Sequence, residues 1–526
     1  MYIDYNKRIV IIAMYLNRYK YKFILFKYLL VYKLNKFIDY YNTKYVNDKC
    51  NNKIKVNNYS LDKEQLKAIY TDELITLVVA GAGSGKTSLI VGKINYLIDN
   101  CNIKEDEILC LSFTNEAVNN LKNRLKYNVD VITFHKLALN IIGDKYKINN
   151  NYLSYVINEY FLGIAIHSKK IKKKLVNLID KVNIDKYEYY LNNGCFDYLK
   201  YTIKKFIELF IVSGKEIKDF LKIKKYKKLV SIIIDIYYLY ISELDSKYEI
   251  DLNLLISKAV DCVDNCSLKY KYIIVDEFQD ISKVRMKLLY SIIDSTSSKL
   301  LVVGDDYQSI YGFSGSSLES YLKIFKNRNS KVIYLKNNYR CCKEIVNISN
   351  KFIVKNKCQI KKEIFSCKSI PKSIVVIDDD KLEELLIYLS KNEREILILG
   401  RNNKDIDKYI IINRIEEIKN MYNNKIEYKT VHSAKGLEAD CVIIINLDDS
   451  NLGFPNKIKN PEIIDYVFPK EYYEYAEERR LFYVSLTRSK NEVYLLKSNN
   501  PSIFFKEIVK DNKKNITYLN LWVILF

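Results

Sequence analysis

Thr76-Leu77-Val78-Val79-Ala80-Gly81-Ala82-Gly83-Ser84-Gly85-Lys86-Thr87-Ser88 decides how this chain is read. Thr76 to Val79 is short, apolar and β-branched, the composition of a buried strand. Leu89, Ile90, Ile94, Leu97 and Ile98 follow at helical spacing. Strand, glycine-rich loop and helix in that order make a phosphate-binding loop. The glycines let the backbone N–H groups of Ala80, Gly81, Ala82, Gly83, Ser84 and Gly85 turn toward phosphate oxygens. Lys86 reaches the β- and γ-phosphates of a bound nucleotide, and the Thr87 hydroxyl is a ligand for Mg²⁺. Ala80 stands where the usual pattern has glycine, so the loop is a variant form.

Further strands lie around this loop. Ile108 to Phe113 is a buried strand, followed by Thr114-Asn115 and a helix from Glu116 to Leu125. Val131 to His135 reads as a short strand ending in polar groups. Tyr272 to Gln279, YIIVDEFQ, carries two adjacent acids to the end of an apolar strand. There Asp276 is placed to hold the Mg²⁺, and Glu277 to polarise the water that attacks the γ-phosphate. Lys299 to Gly304 is another strand, and Gln308 beyond it is placed to sense a γ-phosphate. Tyr311 and Phe313 offer faces on which bases stack. Gln65, on a short helix ahead of the loop, carries the donor and acceptor that read an adenine edge.

Beyond residue 330 a second α/β region is expected. It has strands at Val332–Leu335, Ser373–Ile377, Ile396–Leu399 and Cys441–Ile445, and a helix at Lys343–Phe352. Arg340 and Arg488, coming from this second region, would act as arginine fingers on a developing γ-phosphate charge. Residues 140–268 between the two strand groups show helical periodicity and no proline, and read as a helical insertion. Lys169 to Lys174 within it reads as a solvated face.

Composition bounds the rest. The 526 residues suit three or four domains of ordinary size, and 48% hydrophobic content is enough to bury cores. Lys+Arg number 85 and Asp+Glu 63, a surplus of 22 that suits a polyanionic partner. Part of it follows from a composition rich in Ile, Lys, Asn and Tyr. The 11 cysteines include no CxxC pair, which predicts a reduced, intracellular protein with no structural metal and no disulfide frame. No apolar run approaches the roughly 18–20 residues of a membrane span, so no membrane partner is expected. Ile9 to Leu16 follows Lys7 and Arg8 but lacks a small-residue cleavage site, and is not read as a signal peptide. Residues 1–57 alternate aromatic and basic residues. They form either a basic helix on a nucleic acid or membrane surface, or a helical extension packed on the main body.

The ordered set of motifs resembles superfamily 1 helicases of the UvrD/Rep/PcrA type. The set is Gln65, AGAGSGKT, LSFTNEAVNNLKNRL, ITFHKLAL, IIVDEFQD, VVGDDYQSIYGFSGS, LKNNYR, TVHSAKGLE and EERRLFYVSLTR. The resemblance implies two RecA-like α/β domains with parallel sheets, ATP bound between them, and 3′→5′ movement on single-stranded or partly duplex DNA. The implied ATPase residues are Lys86, Thr87, Asp276, Glu277, Gln308, Arg340 and Arg488. Gln65 and Tyr339 are implied adenine contacts, and Glu438 a nucleotide contact. Thr114, Asn115, Thr133, His135, Tyr311, Phe313 and His432 are the implied single-strand track.

Departures from the pattern are specific. Phe313 replaces the usual Trp, Ser314 the usual Arg, and Ser88 an Arg that often packs on adenine. The 90 positions from Arg340 to Thr430 leave little room for the 2B subdomain usually inserted there. The chain ends soon after PSIFFKEI, so no fused nuclease domain is expected. The expected layout is an extension at 1–57 and a first RecA-like domain at 58–328 carrying the insertion at 140–268. A second domain at 329–510 and a tail at 511–526 follow, in a monomer or weak oligomer. The competing reading is a nucleic-acid-stimulated NTPase that remodels protein–DNA or RNA complexes without processive unwinding. A binding module with a dead ATP site is disfavoured by intact Lys86, Asp276, Glu277 and Arg488.

Overall fold

The structure, a computed structural model, describes residues 42–50, 54–56 and 59–519 apart from 328, 393 and 411. Two six-stranded parallel sheets organise it. The first contains β1 (Ile75–Val79), β2 (Ile108–Ser112), β3 (Asp130–Thr133), β4 (Tyr272–Val275), β5 (Lys299–Gly304) and β6 (Ser330–Tyr334). Their order across the sheet is β6-β1-β5-β4-β2-β3, every pair parallel. Parallel strands are covered on both faces, so they read as continuous apolar runs. All five residues of β2, ILCLS, are buried accordingly. Register pairs Val79 of β1 with Gly304 of β5 and with Tyr334 of β6. The ends of these three strands therefore come level, and the loops after them share one edge.

The second sheet contains β7 (Ile374–Asp378), β8 (Ile396–Gly400), β9 (Ile426–Thr430), β10 (Ala439–Ile444), β11 (Ser489–Lys497) and β12 (Ile516–Tyr518). Its order is β9-β8-β10-β11-β7-β12, again all parallel. The stretch from Arg340 to Thr430 builds a helix at Lys343–Ile353, then β7, β8 and β9 with helices between them. These elements account for it without a separate inserted subdomain among the described residues.

The helical insertion is present. Its long helices Asp197–Ser213 and Lys227–Ser246 share one apolar cluster with Leu77, Leu109 and Val275 of the first sheet. The insertion is thus packed on the sheet rather than tethered to it. No helix among the described residues is long and apolar enough to cross a membrane.

Four sequence expectations are corrected. The strand at 330–334, expected to open the second region, pairs with β1 and closes the first sheet. The stretch from 511 onward, expected to be a tail, supplies β12 as an edge strand beside β7. His135, expected at a strand end, lies in the first turn of a helix, because the Thr133 hydroxyl caps the segment Phe134–Ile142. Strands β9 and β11 were not expected at all. Of the N-terminal extension, residues 42–49 are helical, and Val46 and Val56 are buried with Leu61 and Ile94. This part packs on the main body, and residues 1–41 lie outside the described residues.

Candidate nucleotide cleft and strand track

Several chain segments converge at the C-terminal edge of the first sheet, where open α/β sheets bind ligands. The phosphate loop begins where Ala80 N–H donates to the Gly304 carbonyl at 2.9 Å. Gly83 and Gly85 sit at φ of 65° and 78°, a region side chains avoid. Neither has room for a Cβ, which would meet Arg340 Cβ at 2.6 Å and Gln65 Nε2 at 2.5 Å respectively. The helix Lys86–Cys101 starts at Gly85 with no side-chain cap, so its first N–H groups are free to meet an anion.

Lys86 Nζ lies 2.9 Å from Glu277 Oε1 and 3.0 Å from Oε2. Gln279 Nε2 donates to the same carboxylate at 2.6 Å. Glu277 takes a left-handed backbone, φ 48°, a conformation that costs a non-glycine residue about 1–3 kcal/mol. The turn lets the Glu277 N–H donate to Asp276 Oδ1 at 2.8 Å. Burial works against both carboxylates. Lys86 and Lys435 outweigh it at Glu277 and hold that group ionised. At Asp276 burial and the Glu277 charge act together and push the carboxyl up. A divalent cation would relieve Asp276, and the oxygens of Asp276 and Thr87 are the donors a hard cation takes. The buried Ser84 hydroxyl has no hydrogen-bond partner among the described residues. The residues present therefore fit a magnesium nucleotide.

The opposite wall comes largely from the second sheet. Arg488, buried behind the helix Ala476–Leu486, donates through Nη2 to Gln308 Oε1 at 3.1 Å. Gln308 Nε2 donates to Asp305 Oδ2 at 2.6 Å. Burial and the neighbouring Arg340 pull the Arg488 pKa down to about 10. Arg340 Nε is 2.7 Å from Glu438 Oε2, and Arg340 Nη1 donates to the Thr487 carbonyl at 3.4 Å. Tyr339 N–H donates to the Gly83 carbonyl at 2.8 Å, while its ring is 61% exposed and open to stacking. Gln65 stands beside it across Gly85. Its amide is engaged, accepting from Asp62 N–H at 3.0 Å and donating to the Ser84 carbonyl at 3.1 Å. In this arrangement Gln65 braces the loop rather than presenting a free edge. Ser88 lies in the first turn of the Lys86–Cys101 helix.

The track residues form two groups. Phe313 and His432 meet edge-on at 5.3 Å, with Tyr311 at 5.9 Å from Phe313 and 6.3 Å from His432. Phe313 is 55% exposed. His432 is neutral, its pKa driven down to about 4 by burial and then by Arg401. Ser314 Oγ donates to the Tyr311 carbonyl at 2.9 Å, so it shapes the turn and offers no charge. The second group stands at the ends of β2 and β3. The Thr114 and Thr133 hydroxyls each accept a helix N–H at 3.2 Å, with Asn115 exposed beside the first and His135 half-buried beside the second. Burial and Arg285 bring His135 down to about 4 as well. Among the described residues, no hydrogen bond or ring contact joins the two groups.

Lys435 was missed as a site residue, although it stands inside TVHSAKGLE. Its Nζ lies 2.5 Å from Asp280 Oδ2, donates to the Gln308 carbonyl at 2.8 Å and sits 4.9 Å from the Tyr311 ring centroid. One side chain thus touches the ring cluster and the Gln308 segment together.

The UvrD/REP helicase N-terminal domain model matches residues 61–329, and the UvrD-like helicase C-terminal domain model matches 407–500. The chain belongs to the UvrD/Rep helicase family. It is 29% identical to DNA helicase IV of Escherichia coli (strain K12) over 490 residues, which is 86% of this chain and 70% of that protein. It is 27% identical to ATP-dependent DNA helicase Rep of Buchnera aphidicola (subspecies Acyrthosiphon pisum) over 505 residues, 89% of this chain and 73% of that one. It is 28% identical to a probable DNA helicase II homolog of Mycoplasma capricolum over 393 residues, 71% of this chain and 52% of that one. The N-terminal family match ends at residue 329, just before β6, which nonetheless pairs with β1 inside the first sheet.

Proposed function

We propose that this chain is an ATP-dependent DNA helicase or translocase that couples hydrolysis to 3′→5′ movement on single-stranded DNA during replication, repair or recombination. The observation that carries the reading is the chain of contacts Asp305–Gln308–Arg488, which crosses from the first sheet to the second at the edge of the phosphate loop. A γ-phosphate at that edge gives Gln308, Arg340 and Arg488 a shared anion, and its loss removes the shared partner. The nucleotide's presence is thereby read as closure of one sheet on the other. Glu277 is held ionised and is the base that orients and deprotonates the attacking water. Its strained backbone keeps it at the end of β4. Lys86 leaves Glu277 for phosphate oxygens, which frees that carboxylate. Mg²⁺ on Thr87 and Asp276 would supply charge neutralisation at the phosphates.

A second reading, remodelling of nucleic-acid complexes without processive strand separation, draws support from Ser314 and from the compact 340–430 stretch. One experiment separates the two: displacement of a labelled strand from partial duplexes bearing a 3′ or a 5′ single-stranded tail. The first reading expects ATP-dependent displacement from the 3′-tailed duplex alone. Hydrolysis without displacement from either substrate would favour the second, and displacement from the 5′-tailed duplex alone would contradict the assigned direction.

A further inference from the structure

The segment 355–365, between the helix Lys343–Ile353 and β7, has no regular structure, yet it crosses back to the first sheet beneath the phosphate loop. Lys362 is its centre. Its side chain is buried, and so are both carboxylates it faces. The ammonium pairs with Asp305 Oδ1, lies 2.7 Å from Asp306 Oδ1 and donates to the Ala80 carbonyl at 3.0 Å. It also sits 3.9 Å from the centroid of the Tyr307 ring, a cation–π contact in a desolvated site. Around it, Gln359 Nε2 donates to Asp306 Oδ2 at 2.8 Å, and Ile360 N–H donates to the same atom at 2.8 Å. Ile364 fills the space over Gly81, where a Cβ would meet its Cδ1 at 2.9 Å.

These contacts have one common property. Ala80 is the root of the phosphate loop, and Asp305 is the group that holds Gln308. We propose that Lys362 is a positioning residue for the hydrolysis step, locking the loop root to the Asp305–Gln308 pair so that both keep register when the second sheet moves. The assignment rests on the reading of the cleft as an ATPase site. The three donors of the ammonium are spent on Asp305, Asp306 and the Ala80 carbonyl, so the loop root and the two acids are held through one nitrogen. The strength of such a lock follows from geometry, since a displacement of about 1 Å at a reacting group costs up to about 10²-fold in rate.

Lys362→Met alone leaves two buried carboxylates without their cation and is expected to compromise folding. The informative variant is Lys362→Met combined with Asp306→Asn, which restores the net buried charge and leaves Asp305 on Gln308. Steady-state ATP hydrolysis is measured for the full chain and this variant, with and without single-stranded DNA, alongside thermal unfolding. The expected result is a folded double variant with KM for ATP within about twofold of the parent and saturated kcat about tenfold lower. The shortfall should be largest in the presence of DNA. A folded double variant with parental kcat overturns the proposal, and failure of that variant to fold assigns Lys362 to architecture alone and overturns it equally. If the parent chain itself hydrolyses no ATP, the reading of the cleft fails rather than the role of Lys362 within it.

Discussion

Around Lys86 the groups are cations held by named partners, half-buried at Lys86 on Glu277 and Arg340 on Glu438 and fully buried at Arg488 on Gln308 and Lys362 on Asp305. Around Phe313 they are rings and hydroxyls. Phe313 is half exposed, His432 is neutral, and Ser314 replaces a cation with a turn hydrogen bond. The cleft must tell one nucleotide state from another, and buried charge responds steeply to an added or lost phosphate. Under the proposed function the ring cluster lets a strand pass base after base. Ring faces suit that, because every base has a π-face and none is read by a fixed hydrogen bond. Lys435 joins the two, with its ammonium on Gln308 and Asp280 and 4.9 Å from the centroid of the Tyr311 ring.

If this division holds, substitutions in the two regions differ in kind as well as in size. Arg488→Ala is expected to have the largest effect. Loss of a γ-phosphate arginine lowers kcat by about 10³-fold, while DNA affinity measured without nucleotide changes little. Stopped-flow phosphate release and fluorescence anisotropy read the two quantities separately. Phe313→Ala should be intermediate. Removing one stacking face costs about 1–3 kcal/mol per base, or roughly tenfold or more in DNA affinity, with kcat at saturating DNA retained. Ser314→Arg should be smallest and opposite in sign. One added cation tightens binding a few-fold and steepens the slope of log affinity against log salt by about 0.7. A titration at several salt concentrations checks this, and an unchanged slope would show that residue 314 does not face the strand.

Legibility in the sequence follows the range of the interactions involved. The phosphate loop, the DEFQD acids and the order of the motifs are local, and the chain declares them within a few residues. The parallel sheets follow from apolar runs such as ILCLS and KLLVVG. What stayed hidden is non-local. Nothing in KVIYL says that its partner is β1 rather than a strand of the second sheet, since either burial satisfies the same pattern. β12 was missed because an edge strand of three residues, ITY, carries too little periodicity to stand out. Lys435 stands inside TVHSAKGLE, but its partners Asp280 and Tyr311 are distant in sequence, so nothing local marks it. Lys362 had no local signal at all. KNKCQIKKE has the composition of a solvated stretch, and only Asp305 and Asp306, more than fifty positions earlier, make its burial tolerable.

Under the proposed function, strand binding at the ring cluster is felt at the nucleotide cleft. The most direct test is steady-state ATP hydrolysis by the full chain with and without single-stranded DNA, with Lys86→Ala and Glu277→Gln alongside. Stimulation by DNA of about tenfold or more, abolished in both variants, is the predicted result. A hydrolysis rate that does not change on adding saturating DNA would contradict it.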